Sequence, residues 1–71
     1  MKTSLKFIVN SNNTAKATPY EQFIAMLALR GYEFAVKRKW VSSVCREFTV
    51  TVTDLNDDDA EWAVYRLGAR K

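Results

Sequence analysis

The chain of 71 residues has no histidine, one cysteine (Cys45), one proline (Pro19) and two glycines (Gly31 and Gly68). Without an imidazole, proton transfer at neutral pH falls to a perturbed carboxylate, a lysine or Cys45. A lone cysteine excludes an intrachain disulfide. Its segment offers neither an imidazole nor a helix N-terminus to lower its pKa, so an inert thiol on a strand is the expectation. Long hydrophobic runs are also missing. Phe7–Val9 is too short for the apolar core of a signal peptide, and no stretch reaches transmembrane length. These absences lead to the expectation of a reducing, cytoplasmic setting with no membrane partner. Asn12-Asn13-Thr14 fits the glycosylation pattern, which carries no weight without secretion.

What is present fits one small domain over residues 1–71. Hydrophobic residues make up 48% and charged residues 27%, both ordinary for a globular chain. A domain this short buries only roughly 60% of the surface its unfolded form exposes, so its stability is modest. The net charge of +3 permits an acidic partner but is far from a histone-like field.

The scarce proline and glycines punctuate two helices. Thr18-Pro19-Tyr20-Glu21 reads as a capping box with proline at the first helical position, and Gly31 is placed to end that helix after Arg30. Asn56 caps a second helix over Asp57–Leu67, with Leu55 as staple and Asp57, Asp58 and Asp59 at the positive end of the dipole. Gly68 stops it, leaving Ala69–Lys71 as a tail expected to fray.

Three stretches alternate with the period of a strand. They are Ser4–Val9, with Leu5, Phe7 and Val9 on one side; Tyr32–Val41, with Tyr32, Phe34, Val36, Arg38 and Trp40 sharing a face; and Val44–Thr53, with Phe48, Val50 and Val52 inward. Asn10–Ala17 is polar and reads as a loop. Parity constrains the hairpin. A two-residue loop at Ser42-Ser43 would mix apolar and polar residues on one face. A three-residue loop restores the match. At Ser42–Val44 it sets Trp40 opposite Arg46 and Lys39 opposite Glu47, with a cation–π contact in reach, whereas one residue earlier it would oppose Arg38 and Arg46, so the later loop is preferred.

The element order is thus β-α-β-β-α. A right-handed crossover makes the first two strands parallel, and the third, antiparallel to both, fits between them. The result is an α+β fold. It has a three-stranded sheet of order 1-3-2 with two helices on one face, a ferredoxin-like arrangement lacking its last strand. Architecture of this kind carries no function by itself.

Catalytic apparatus is not legible, and no cofactor or metal is implied. The acidic residues Asp54, Asp57, Asp58, Asp59 and Glu61 lack the ligand spacing and turn glycine of a calcium loop, and helix capping accounts for them. Two surfaces remain. On the first helix Tyr20, Phe23, Ile24 and Leu27 form a stripe for the sheet, while Ala25, Met26 and Leu29 lie nearly opposite. On the second, Ala60, Ala63, Val64 and Leu67 face inward, with Trp62 and Tyr65 nearly opposite. Met26, Leu29, Trp62 and Tyr65 therefore either meet in helix-on-helix packing or form an exposed patch for a partner. The second surface is basic: Lys6, Lys37, Lys39 and Arg46 offer a patch for phosphates, although such charges also protect sheet edges. The outward positions Thr49, Thr51, Lys6 and Ile8 hold no aromatic on which a base would stack.

The expectation is a small non-enzymatic regulatory, adaptor or inhibitor protein that binds another protein. Its size and lack of catalytic groups suit a phage-type accessory. The alternative is a nucleic-acid-binding protein using the basic patch. A homodimer through the outer helix stripes or the edge of the first strand is a third reading.

Overall fold

The computed structural model describes residues 1–10 and 18–71. Apart from Asn10, the loop expected over Asn10–Ala17 lies outside the described residues, as does the glycosylation pattern at Asn12–Thr14. The elements run β1 (Lys2–Asn10), α1 (Pro19–Arg30), β2 (Phe34–Trp40), β3 (Cys45–Thr53) and α2 (Asp57–Leu67). The sheet order is β1-β3-β2, and β3 pairs antiparallel with both neighbours. This is the α+β arrangement that strand parity and the handedness of crossovers dictate.

The hairpin register places Trp40 opposite Arg46 and Lys39 opposite Glu47. Val41 donates to the Cys45 carbonyl at 3.0 Å, closing a loop over Ser42–Val44. The Ser42 hydroxyl accepts from the amides of Val44 and Cys45, which stabilises the turn locally.

One face of the sheet is covered. Leu5 and Phe7 of β1 and Val50 and Val52 of β3 share a core with Phe23 and Leu27 of α1 and Ala63 of α2, so both helices lie on the same side. Leu5, Phe23, Leu27, Val50 and Val52 are fully buried. Each contributes about 1.5–3 kcal/mol of transfer free energy. Total stability for this size is about 4–11 kcal/mol, so no one of them is dispensable.

Both helix caps follow their sequence signals. The Glu21 amide donates to Thr18 Oγ1 at 3.2 Å, and the Asp58 amide donates to Asn56 Oδ1 at 2.8 Å. Gly31 adopts φ of 74°, a conformation that costs glycine nothing. The amides of Gly31 and Tyr32 then bond the carbonyls of Ala28 and Leu27, the paired closure of a Schellman motif. That closure removes Tyr32 from the strand in which its alternation had placed it, and β2 starts at Phe34.

The tail departs from expectation. Instead of fraying, Ala69 is 5% exposed and belongs to the core. Arg70 pairs antiparallel with Lys6 through reciprocal bonds of 2.8 and 2.6 Å. After the Gly68 turn the chain drops onto the outer edge of β1, where a fourth ferredoxin-like strand would lie. The edge itself is the physical reason: Lys6 directs its amide and carbonyl away from β3, and the tail supplies both partners. Deleting Ala69–Lys71 is expected to lower unfolding stability by about 1–3 kcal/mol, from two lost backbone bonds and a buried methyl. Urea denaturation with an unchanged midpoint would show that the tail holds nothing.

Candidate functional site

The position of the helix layer is set by a polar cluster at one end of the seam between the helices. Asp59 is buried, accepts the Tyr32 hydroxyl at 2.7 Å and sits 3.3 Å from the Arg30 guanidinium. Tyr32 in turn accepts the Asn56 amide at 3.2 Å. The bond to the Asp59 carboxylate is the largest influence on Tyr32 and holds its pKa above the ordinary value, with the Asn56 amide opposing it.

This cluster orients both outer stripes. Asp59 reaches toward α1, so the flank of α2 that carries Asp59 and Trp62, one turn apart, borders the seam. Arg30 reaches toward α2, so the flank of α1 with Met26 and Arg30 borders it from the other side. Met26 is accordingly half-buried and packed against the core rather than standing free. Trp62 is 38% exposed, Leu29 88% and Tyr65 81%. Of the four residues singled out for partner binding, Met26 is thus largely structural. Leu29 and Tyr65 are outward, and Trp62 lies between these extremes. Tyr65 also walls a shallow cleft of about 290 Å³ with Asp57, Ala60, Glu61, Val64 and Lys71.

The basic patch divides between the two faces of the sheet. On the open face Lys6 and Lys37 flank Thr49 in one row, and Ile8, Glu47 and Lys39 form the next. Thr51 continues the surface and shares a 2.9 Å hydrogen bond with Ser4. Arg46 has the opposite parity. Its guanidinium carbon lies over the rings of Trp40 and Phe48 at 5.3 and 5.7 Å, on the helix side of the sheet. Period-two alternation separates Arg46 from the lysines.

Sequence reasoning did not assemble the surface to which Arg46 does belong. Rings follow one another from the core toward the hairpin: Phe23 and Phe7 at 5.3 Å, Phe7 and Tyr20 at 6.3 Å, Tyr20 stacked on Phe48 at 4.0 Å. Arg46 and Trp40 continue the series. The signal was the shared parity of Arg38, Trp40, Arg46 and Phe48, but only the placement of the helices shows that neither of them covers this end of the face.

The acidic residues do not gather. Asp54 takes the Met1 ammonium at 2.7 Å, which lowers its pKa, and Asp59 serves Tyr32 and Arg30. Among the described residues no three histidine, cysteine or carboxylate side chains converge as metal ligands. Cys45 is a free, half-buried thiol on the open face. No helix is long and apolar enough to cross a membrane among the described residues. Comparison with protein-family models, curated proteins and solved structures returns no match.

The Tyr32–Asp59 bond has a pH signature. It persists while the hydroxyl is protonated, so its contribution is complete below about pH 10 and fades as pH rises through the raised pKa. Carbon-13 titration of the tyrosine rings is expected to give Tyr32 a midpoint above about 10, returning toward it in Asp59→Asn. Identical Tyr32 midpoints in the two proteins would refute the assignment.

Proposed function

We propose that the chain is a small non-enzymatic binding protein that engages another protein through the outer surface of its helix layer. It would serve there as a regulator, adaptor or inhibitor, such as a phage-type accessory acting in the cytoplasm. The observation that carries this reading is the exposure of Leu29 and Tyr65, with Trp62 partly exposed on the same layer. Burial of these side chains by a partner would remove apolar surface from water, and tryptophan and tyrosine are frequent anchors of protein interfaces. The Arg30–Asp59–Tyr32 cluster keeps the layer rigid, which lowers the ordering cost of association.

The test is quantitative recovery of a protein partner on the immobilised chain. Leu29→Asp with Tyr65→Asp is expected to reduce affinity at least roughly thirtyfold, as loss of interface anchors does. Both sites are exposed, so folding should change by less than about 0.5 kcal/mol, checked by circular dichroism. Undiminished recovery by the folded double variant would overturn the reading.

A second reading, nucleic-acid binding, is favoured by the juxtaposition of Lys6, Lys37 and Lys39 on the open face. Three phosphate contacts there would make log affinity fall with log salt at a slope near −2 to −3. Lys37→Glu with Lys39→Glu would abolish retention of an oligonucleotide. No retention of single- or double-stranded DNA or RNA by the parent protein at low salt would dispose of this reading.

A further inference from the structure

The helix layer does not cover the whole inner face of the sheet. Beyond Phe48, toward the β2–β3 hairpin, Arg38 stands opposite Phe48, and Arg46 stands between Val9 and Trp40. Arg38 and Arg46 are diagonal neighbours on this surface, about 7–8 Å apart at the backbone. With Val9, Val36, Tyr20 and Glu21 they wall a cleft of about 480 Å³. Trp40 flanks Arg38 and Arg46 and is 62% exposed.

The two arginines share an unusual condition. Neither forms an ion pair among the described residues, where the bridges are Met1–Asp54 and Arg30–Asp59. Arg46 Nε is buried with no acceptor among the described residues. Its guanidinium carbon lies over the rings of Trp40 and Phe48, and among the described residues Nε adds no hydrogen bond to that stacking. Stacking restricts the plane of the fork while its terminal nitrogens keep their donors, which is the geometry that binds a carboxylate in bidentate fashion. Glu21 is the one acid among the described residues lining the cleft, and its carboxylate accepts from the Thr18 hydroxyl at 3.1 Å.

We propose that this cleft is a second binding site, for an acidic segment of a protein partner. Arg46 and Arg38 hold its carboxylates, and an adjoining apolar side chain rests on Trp40 and Val9. Charge complementarity carries the choice of occupant: two guanidinium groups without an ion pair among the described residues border an apolar floor. A nucleic-acid strand fits less well. Tyr20 and Phe48 are stacked on each other, so their facing surfaces are closed to a base. The arginines also lie across the sheet from Lys6 and Lys37, so one backbone does not follow both sets of charges. The site is independent of the helix surface proposed above. Tyr20 and Leu29 are nine positions apart on α1, about 13 Å along its axis.

The test uses Trp40 as reporter in the full chain carrying Trp62→Phe, which leaves one tryptophan. Titration with hexaglutamate peptide is expected to give a saturable change in Trp40 fluorescence. Arg46→Lys keeps the charge but loses the fork, and should weaken binding roughly tenfold. Arg38→Gln should also weaken it, and Glu21→Gln should tighten it by removing the opposing charge. Far-UV circular dichroism checks each variant. Arg38 lies on the edge strand, so Arg38→Gln decides the matter alone if substitution of Arg46 disturbs the fold. Three results would overturn the proposal: no saturable response to hexaglutamate, undiminished affinity in Arg38→Gln, or equal affinity for inorganic phosphate or fifteen-residue oligothymidylate at matched ionic strength. Because the probe is a peptide of known composition, failure here leaves the helix-surface reading untouched.

Discussion

Burial of Val50 and Val52 beneath Phe23, Leu27 and Ala63 is the interaction on which the rest of the structure depends. The strand that carries them is hydrogen-bonded on both edges, so its two faces are its only variable surfaces. One is valine and phenylalanine, the other threonine, glutamate and cysteine. The sheet therefore has one dry face and one wet face, and both helices must serve the dry one. Two helices of three turns each cannot cover all of it. They cover the end bearing Leu5, Val50 and Val52 and do not extend over the hairpin end, with Arg38, Arg46 and Trp40.

Two smaller devices lock that arrangement. The first is the carboxylate of Asp59, which sits in the first turn of α2, where the dipole already favours it, and also binds Tyr32 and Arg30. One acid thus complements the dipole of α2, crosses between the helices and anchors Tyr32, whose amide helps close α1. The second is the tail after Gly68. Ala69 fills the core and Arg70 satisfies the outward backbone groups of Lys6. A sheet edge that would otherwise invite pairing with another chain is partly closed in this way, while the edge along β2 is guarded by Lys37, Arg38 and Lys39.

Three chemically distinct surfaces result. The helix layer is apolar around Leu29, Trp62 and Tyr65. The open face of the sheet is polar, with Lys6, Lys37 and Lys39 among threonines. The hairpin end combines two arginines with rings. A net charge of +3 distributed this way would favour approach of an acidic partner without committing the whole surface to it. Under the proposed readings, the apolar and arginine surfaces divide the work between anchoring and charge recognition.

The sequence by itself determined the elements, their order and the faces of the strands. Capping signals at Thr18 and Asn56, glycines at both helix ends and strict alternation in β3 act over a few residues; parity narrowed the hairpin to a three-residue loop, and avoiding an Arg38–Arg46 pair favoured Ser42–Val44. Tertiary structure alone decided what the outer stripes do, because helical periodicity says which residues share a side and not what stands opposite. Met26 is half-buried against the core, whereas Leu29 and Tyr65 stay outward. Alternation already set Arg46 on the other face from the lysines, but only the register brings it beside Arg38 and Trp40. The order of the tail is tertiary for the same reason: Ala69 and Arg70 carry no local signal of order, and what holds them, the outer edge of β1, is more than sixty residues away along the chain.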